Sequence, residues 1–260
     1  GIPYVTNVQG LGTAFEKPVL SNVVSVMYRS ALRKARTVFF ENEENAQFFL
    51  HKNIISAQQM KVLPGAGINL DEYPYVPMRD DGVCSFLFVG RIMKEKGVDE
   101  FFTAAKTVKA EFGEKVAFDV VGFYEDAYKE TVDHLVADRV INFHGFQTDV
   151  HPFYEAADCV VLPSYHEGMS NVLLEGAATG RALITSDIPG CREAVEDGVS
   201  GYICPAKDAD TLYDTMQCFV EFPESWRAEM GRRGRERMEK RFSKDAVIAE
   251  TMKWLGTTNG

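Results

Sequence analysis

Nothing in the 260 residues comes near the ~20 consecutive apolar positions that a membrane-crossing helix requires, and no basic-then-apolar leader opens the chain. No integral membrane span is expected within it. Cysteine is scarce: Cys84, Cys159, Cys191, Cys204 and Cys218 form an odd set without CxxC spacing, most of them inside apolar runs such as Cys159-Val160-Val161-Leu162. Such a set speaks against a disulfide framework or a zinc site, and buried reduced thiols of a cytoplasmic protein are expected instead. The five histidines include no HExxH pair, so no metal is expected. Positive charge is short as well. With 28 Lys and Arg against 38 Asp and Glu the net charge is −10, which opposes partnership with nucleic acid, where basic surface must neutralise phosphate.

The deficit is uneven. Residues 1–64 carry seven basic against four acidic side chains, and Arg29, Arg33, Lys34 and Arg36 cluster there. Spacing of three to four places Arg29, Arg33 and Arg36 on one helical face. A solvated face is the plain expectation. The sharper one is contact with a phosphorylated acceptor or with an anionic membrane, peripheral on the inner face of the plasma membrane.

What is present is a regular alternation of short apolar runs and amphipathic stretches. Strands are predicted at Cys84–Val89, Val116–Val121, 140–143, Cys159–Leu162, Ala182–Ser186 and Gly201–Cys204. Helices are predicted at Val98–Phe112, 126–136, 150–156, Asn171–Thr179, 209–222 and 225–240. This alternation indicates an α/β fold with a parallel, doubly wound, Rossmann-like sheet, and continuously apolar strands fit a sheet covered on both faces. Upstream, strands are expected at Tyr4–Val8, 37–40 and 61–63, with helices at 22–35 and 43–50. The stretch 64–81, with three prolines and two glycines, reads as a connection between units. Four segments are therefore expected: residues 1–64 as the last part of an acceptor-side Rossmann-like domain whose beginning is absent, 65–82 as linker, 83–242 as a complete ligand-binding domain, and 243–260 as a C-terminal helix and tail.

In open α/β sheets ligands bind beyond the carboxyl ends of the strands. Two loops there are chemically unusual. The first, Gly90-Arg91-Ile92-Met93-Lys94-Glu95-Lys96-Gly97, offers a glycine that admits close approach, a guanidinium fork and an ammonium at a helix start, a set suited to a pyrophosphate. It is neither a Walker A loop nor a GxGxxG fingerprint, which weighs against kinase, ATPase and dehydrogenase chemistry. The second runs from Pro163 to Glu175. Ser170 or Asn171 is a natural N-cap, so the amides near Ser170–Val172 face an anionic ligand, with Glu167 before the helix and Glu175 one turn inside it.

Glu167 and Glu175, seven residues between them in EGMSNVLLEGAATG, resemble the E-x7-E signature of the family 4 retaining glycosyltransferases, and Gly90–Gly97 resembles that family's GRxxxxKG loop. Residues 62–68 (VLPGAGI), 143–154 (FHGFQTDVHPFY) and 185–196 add to a resemblance that runs from Gly1 to Phe242. The resemblance implies a GT-B fold. It also implies transfer of a sugar, with retention, from a nucleotide-diphosphate sugar (UDP favoured) to the hydroxyl of a saccharide or lipid-linked saccharide, without metal or cofactor. Arg91 and Lys96 would hold the diphosphate and stabilise charge on the leaving nucleotide. Glu167 would bind donor-sugar hydroxyls and Glu175 the ribose. Gly90 and the backbone of Gly168, Met169, Ser170, Asn171 and Val172 would contact phosphate and sugar, and the loop holding Phe146 and Val150 would flank the base. Gln9 and Gly10 fall on the acceptor side, where relatives can carry a histidine; glutamine cannot serve as a base. Residues 7–15 (NVQGLGTAF) resemble members acting on lipid-linked sugars in polysaccharide assembly. As a partial chain it is expected to be inactive alone. The alternatives are a non-catalytic nucleotide-sugar-binding fragment and another GT-B enzyme, such as a nucleotide-sugar epimerase or a glycogen-type phosphorylase.

Overall fold

The computed structural model describes residues 4–11, 15 and 18–255; positions 12–14 of the NVQGLGTAF stretch and the tail 256–260 lie outside the described residues. Two parallel sheets organise them. The first, in the order β1 (Tyr4–Val8), β2 (Ala35–Phe40), β3 (Met60–Val62), carries α1 (Pro18–Leu32) and α2 (Glu43–His51) in its connections. Its core gathers Val38, Phe40, Ala46 and Phe49, all without exposed surface.

The second sheet contains β4 (Cys84–Val89), β5 (Val116–Val121), β6 (Asn142–Phe143), β7 (Cys159–Leu162), β8 (Ala182–Ser186) and β9 (Gly201–Cys204). Its spatial order is β6-β5-β4-β7-β8-β9, every pair parallel. The winding thus starts in the middle with β4, runs outward to β6, then returns to β7 beside β4 and runs the other way. The reversal leaves a crevice between the carboxyl ends of β4 and β7, where a ligand is received in such sheets. The two loops singled out from the sequence follow these two strands.

Helices cover both faces, which is why the strands read as unbroken apolar runs. On one face α3 (Val98–Phe112) and α7 (Ala209–Glu221) put Phe101 and Phe219 onto Phe118 and Phe86. On the other, α6 (Asn171–Thr179) lies so close that a Cβ on Gly176 would overlap Val160. The helices α4 (Lys129–Ala137), α5 (His151–Ala156) and α8 (Glu224–Arg237) complete the layers, and α9 (Lys244–Leu255) follows a π-helical turn at Met238–Phe242.

Two expectations need correction. The apolar pair Val140-Ile141 is not strand: both amides return to the Leu135 carbonyl, and Arg139 takes φ 56, so the pair closes the end of α4 and packs beneath it. Helix α1 begins four residues earlier than predicted and stops at Leu32, so Arg29, Arg33 and Arg36 share no helical face. Arg33 and Lys34 form the turn into β2, Arg36 lies within that strand, and Arg29 spends its fork on the carbonyls of Lys52 and Asn53. The connection at 65–82 is irregular, and it is strapped down. The Val76 amide bonds the Thr179 carbonyl at 3.0 Å, the fully buried Arg181 donates to the Val76 carbonyl, and Arg235 donates to that of Tyr73.

The chain passes twice between the two sheets, at one place. Ile68 forms a parallel bridge with Ser243, its amide bonding the Phe242 carbonyl at 2.7 Å and its carbonyl the Lys244 amide at 3.0 Å. Beyond the second passage α9 returns to the first sheet, where Arg36 donates to the Trp254 carbonyl and Lys61 lies 4.0 Å over the Trp254 ring. No described helix is long and apolar enough to cross a membrane.

Candidate active site

The floor of the crevice is made of glycine. Gly90, Gly122 and Gly145 end β4, β5 and the extension of β6; the Gly90 amide bonds Val121 and the Gly122 amide bonds Gly145, each at 2.9 Å. At Gly122 (φ 144) a Cβ would overlap the Gly90 carbonyl, so no side chain can stand between adjacent strand ends there.

Lys96 and Glu167 meet across this floor. Lys96 ends a 3-10 turn (Lys94–Lys96) that Gly97 joins to α3, and its Nζ donates to Glu167 Oε1 at 2.5 Å. The buried Ser164 hydroxyl donates to the same oxygen at 2.8 Å. With the Lys96 side chain 23% exposed and that of Glu167 13%, the pair is largely withdrawn from solvent and only weakly screened. Lysine has three donors, so two remain for another acceptor, and Glu167 Oε2 has no hydrogen-bond partner among the described residues. The two loops also brace each other: the Tyr165 amide bonds the Glu95 carbonyl at 2.8 Å, and the Tyr165 hydroxyl reaches Glu100 on α3 at 2.7 Å. Arg91 stands exposed in the first loop.

Behind Glu167 the chain turns into α6. Ser170 is the N-cap, its hydroxyl accepting from the Leu173 amide at 3.5 Å, and its own amide bonds the Gly190 carbonyl at 2.9 Å. Asn171 and Val172 then supply first-turn amides that, as at any helix start, lack partners within the helix. Gln9 and Gly10 lie directly opposite, because a Cβ on Gly168 would overlap the Gln9 carbonyl and the Gly10 Cβ position is 4.0 Å from the Gly168 Cα. Two residues that sequence reasoning passed over, Glu41 and Asn42, belong to the same contact. Burial raises the Glu41 pKa, while hydrogen bonds from the Asn7 side chain and the Met169 amide oppose the rise.

Glu175 belongs to a different network. Its carboxylate accepts from the Tyr154 hydroxyl at 2.8 Å and lies near Tyr73, whose ring stacks on His151 at 4.5 Å. Burial raises its pKa, and the tyrosine hydroxyls act the other way. The structure therefore joins Lys96 to Glu167 and holds Glu175 by tyrosines. A carboxyl with a raised folded-state pKa weakens the fold as pH climbs from its unfolded to its folded value. Glu175→Gln should accordingly flatten the decline in urea midpoint through the carboxylate range without lowering the midpoint at pH 7. A midpoint lost at pH 7 would show that the charge itself is required. Phe146, 67% exposed, faces the exposed Phe123 with 6.5 Å between ring centroids, whereas Val150 is half-buried before α5 and packs into the core.

The family model described as "Glycosyl transferases group 1" matches residues 84–221, more than half of the chain. Among curated proteins, the N,N'-diacetylbacillosaminyl-diphospho-undecaprenol alpha-1,3-N-acetylgalactosaminyltransferase of Campylobacter jejuni is 26% identical over 238 residues, 85% of this chain and 62% of that protein. The capsular polysaccharide biosynthesis glycosyltransferase CapM of Staphylococcus aureus is 28% identical over 166 residues, 63% of this chain and 43% of that protein. The chain thus spans less than two thirds of the curated relatives it matches. Of solved structures, sucrose-phosphate synthase from Thermosynechococcus elongatus superposes with TM-score 0.81 at 22% identity, covering all of this chain and 69% of that one. HepE of Anabaena in complex with UDP gives 0.79 at 19%, covering 96% and 72%. The fold is of the GT-B type, and the chain belongs to the glycosyl transferases group 1.

Proposed function

We propose that this chain carries the donor site of an enzyme that moves a sugar from a nucleotide-diphosphate sugar, UDP-linked by preference, to an acceptor hydroxyl with retention of configuration. The observation that carries the reading is the Lys96–Glu167 contact at 2.5 Å, set at the reversal of the sheet between a glycine floor and the start of α6. In this reading the two remaining donors of Lys96, the exposed fork of Arg91 and the amides of Asn171 and Val172 receive the diphosphate. Together they stabilise the charge that grows on the departing nucleotide. Glu167 Oε2 accepts a hydroxyl of the sugar. Glu175, steadied by Tyr154 and Tyr73, accepts from the ribose, and Phe146 flanks the base. Attack comes from the face the nucleotide leaves, with the leaving phosphate taking the acceptor proton; Gln9 orients the acceptor and takes no proton.

Residues 4–62 form the acceptor side in this scheme. The relatives named for an undecaprenol-linked sugar and for capsular polysaccharide biosynthesis support a lipid-linked or growing polysaccharide acceptor. Calorimetry with UDP, GDP and their sugar conjugates tests the donor reading. UDP is expected to bind and, at about 100 times its Kd, to stabilise the fold by about 2.7 kcal/mol. If no nucleoside diphosphate binds or raises the melting temperature, the donor site is misassigned.

A further inference from the structure

Consecutive residues at the end of β2 bear on a single peptide unit in the loop that carries Glu167. Asn42 Nδ2 donates to the Gly168 carbonyl at 3.1 Å, and the Glu41 carboxylate lies beside the Met169 amide, its Oε2 2.6 Å from the place a Gly168 Cβ would take. These are the C=O and N–H of one peptide plane. Both side chains are almost wholly buried, Asn42 at 1% and Glu41 at 8% exposure. Neither is free to turn. Asn42 Oδ1 is the N-cap acceptor of α2, receiving the Asn45 amide at 2.9 Å, so the cap dictates which edge of the side-chain amide faces Gly168. Glu41 is further tied to Asn7 Nδ2 at 3.4 Å. Gly168 itself has no room for a side chain, since the Gln9 carbonyl and Glu41 Oε2 crowd the place a Cβ would take.

We infer that Glu41 and Asn42 are positioning residues for the donor loop: by fixing the rotation of the Gly168–Met169 peptide, they hold Glu167 against Lys96 and aim the first amides of α6 into the crevice. A peptide plane bonded at its carbonyl and faced by a buried carboxylate on its amide side is hindered from rotating, and the residue before it and the amides after it inherit that orientation. The grip comes from the first sheet and acts on the second, so alignment of the donor loop depends on the acceptor-side unit. The assignment rests on the donor reading given above.

Asn42→Asp separates the roles of the side chain. It keeps an oxygen to cap α2 but replaces the donor to Gly168 by a carboxylate oxygen facing a carbonyl. Leaving a buried polar group unsatisfied costs about 10- to 100-fold in an equilibrium. In the full chain, Asn42→Asp is expected to weaken UDP binding by about that factor, and to speed amide exchange across 166–171 by about tenfold or more beyond any change elsewhere in the chain. Glu41→Ala should behave likewise, and Glu41→Gln, which still offers an oxygen to the Met169 amide, should recover most of what alanine loses. Unchanged exchange in both Asn42→Asp and Glu41→Ala would overturn the proposal. So would a fall in melting temperature with no effect confined to the loop, which marks a purely structural role. If the unaltered chain binds no UDP, the donor reading fails instead, and the exchange comparison, which needs no ligand, still decides whether the pair grips the loop.

Discussion

Alanine at position 97 should cost the protein about 2–5 kcal/mol and its nucleotide affinity together. Gly97 adopts φ 69 where the Lys94–Lys96 turn passes into α3, a left-handed conformation that costs an L-residue about 1–2 kcal/mol. Its missing Cβ is the larger matter. A methyl there would overlap the carbonyl oxygen and carbon of Pro163, which are backbone and cannot be relieved by a rotamer change. Overpacking of this kind adds about 1–3 kcal/mol. Because Pro163 opens the loop to Glu167 and Gly97 adjoins Lys96, whatever shift admits the methyl also parts the charged pair. Urea unfolding and UDP calorimetry on Gly97→Ala measure the two losses. A variant with wild-type midpoint and affinity would mean that the two loops are not in the contact described.

Lys96→Ala is expected to reduce donor turnover in the enzyme by about 10²–10³-fold, the scale for removing one fixed donor to developing charge. In the reading proposed above it removes a ligand for the diphosphate and, in the same stroke, leaves the half-buried Glu167 with the Ser164 hydroxyl as its one side-chain hydrogen-bond partner among the described residues. Glu167→Gln alone strands the ammonium in the reverse sense. The two effects should therefore not add: the double variant is expected to be no worse than the poorer single one, the behaviour of residues that act as a unit. Additive losses in such a cycle, read from kcat/KM with a UDP-sugar, would show that the pair works as two separate contacts.

Much of this was open to reading from the chain alone. Strands Cys84–Val89, Val116–Val121, Cys159–Leu162 and Ala182–Ser186 announce themselves because a sheet covered on both faces needs uninterrupted apolar runs. The loops after β4 and β7 stand out because cations and carboxylates at strand ends are at odds with their apolar surroundings. Val140-Ile141 misled because burial beneath a helix end looks, in sequence, the same as burial in a sheet. The helix at 43–50 was legible, with Glu43 and Glu44 in its first turn. The bond of Asn42 to Gly168 was not, since nothing local marks a partner 126 positions away. Glu175 shows the same limit. Its place in a motif could be seen, but the tyrosine hydroxyls that hold it come from two other elements of the chain.

The bridge between Ile68 and Ser243 bears on how the two sheets could part. Two covalent passages lying side by side would serve any such motion as a single pivot, and α9, tied to the first sheet through Trp254, would move with that sheet. The bridge also lies beside the loop that matters, for Gly65 packs against the Met169 side chain. Motion about an axis moves nearby atoms least. An opening there would part the rim and leave the Gly168–Met169 peptide beside the axle nearly in place, so admission and alignment would be mechanically separate tasks.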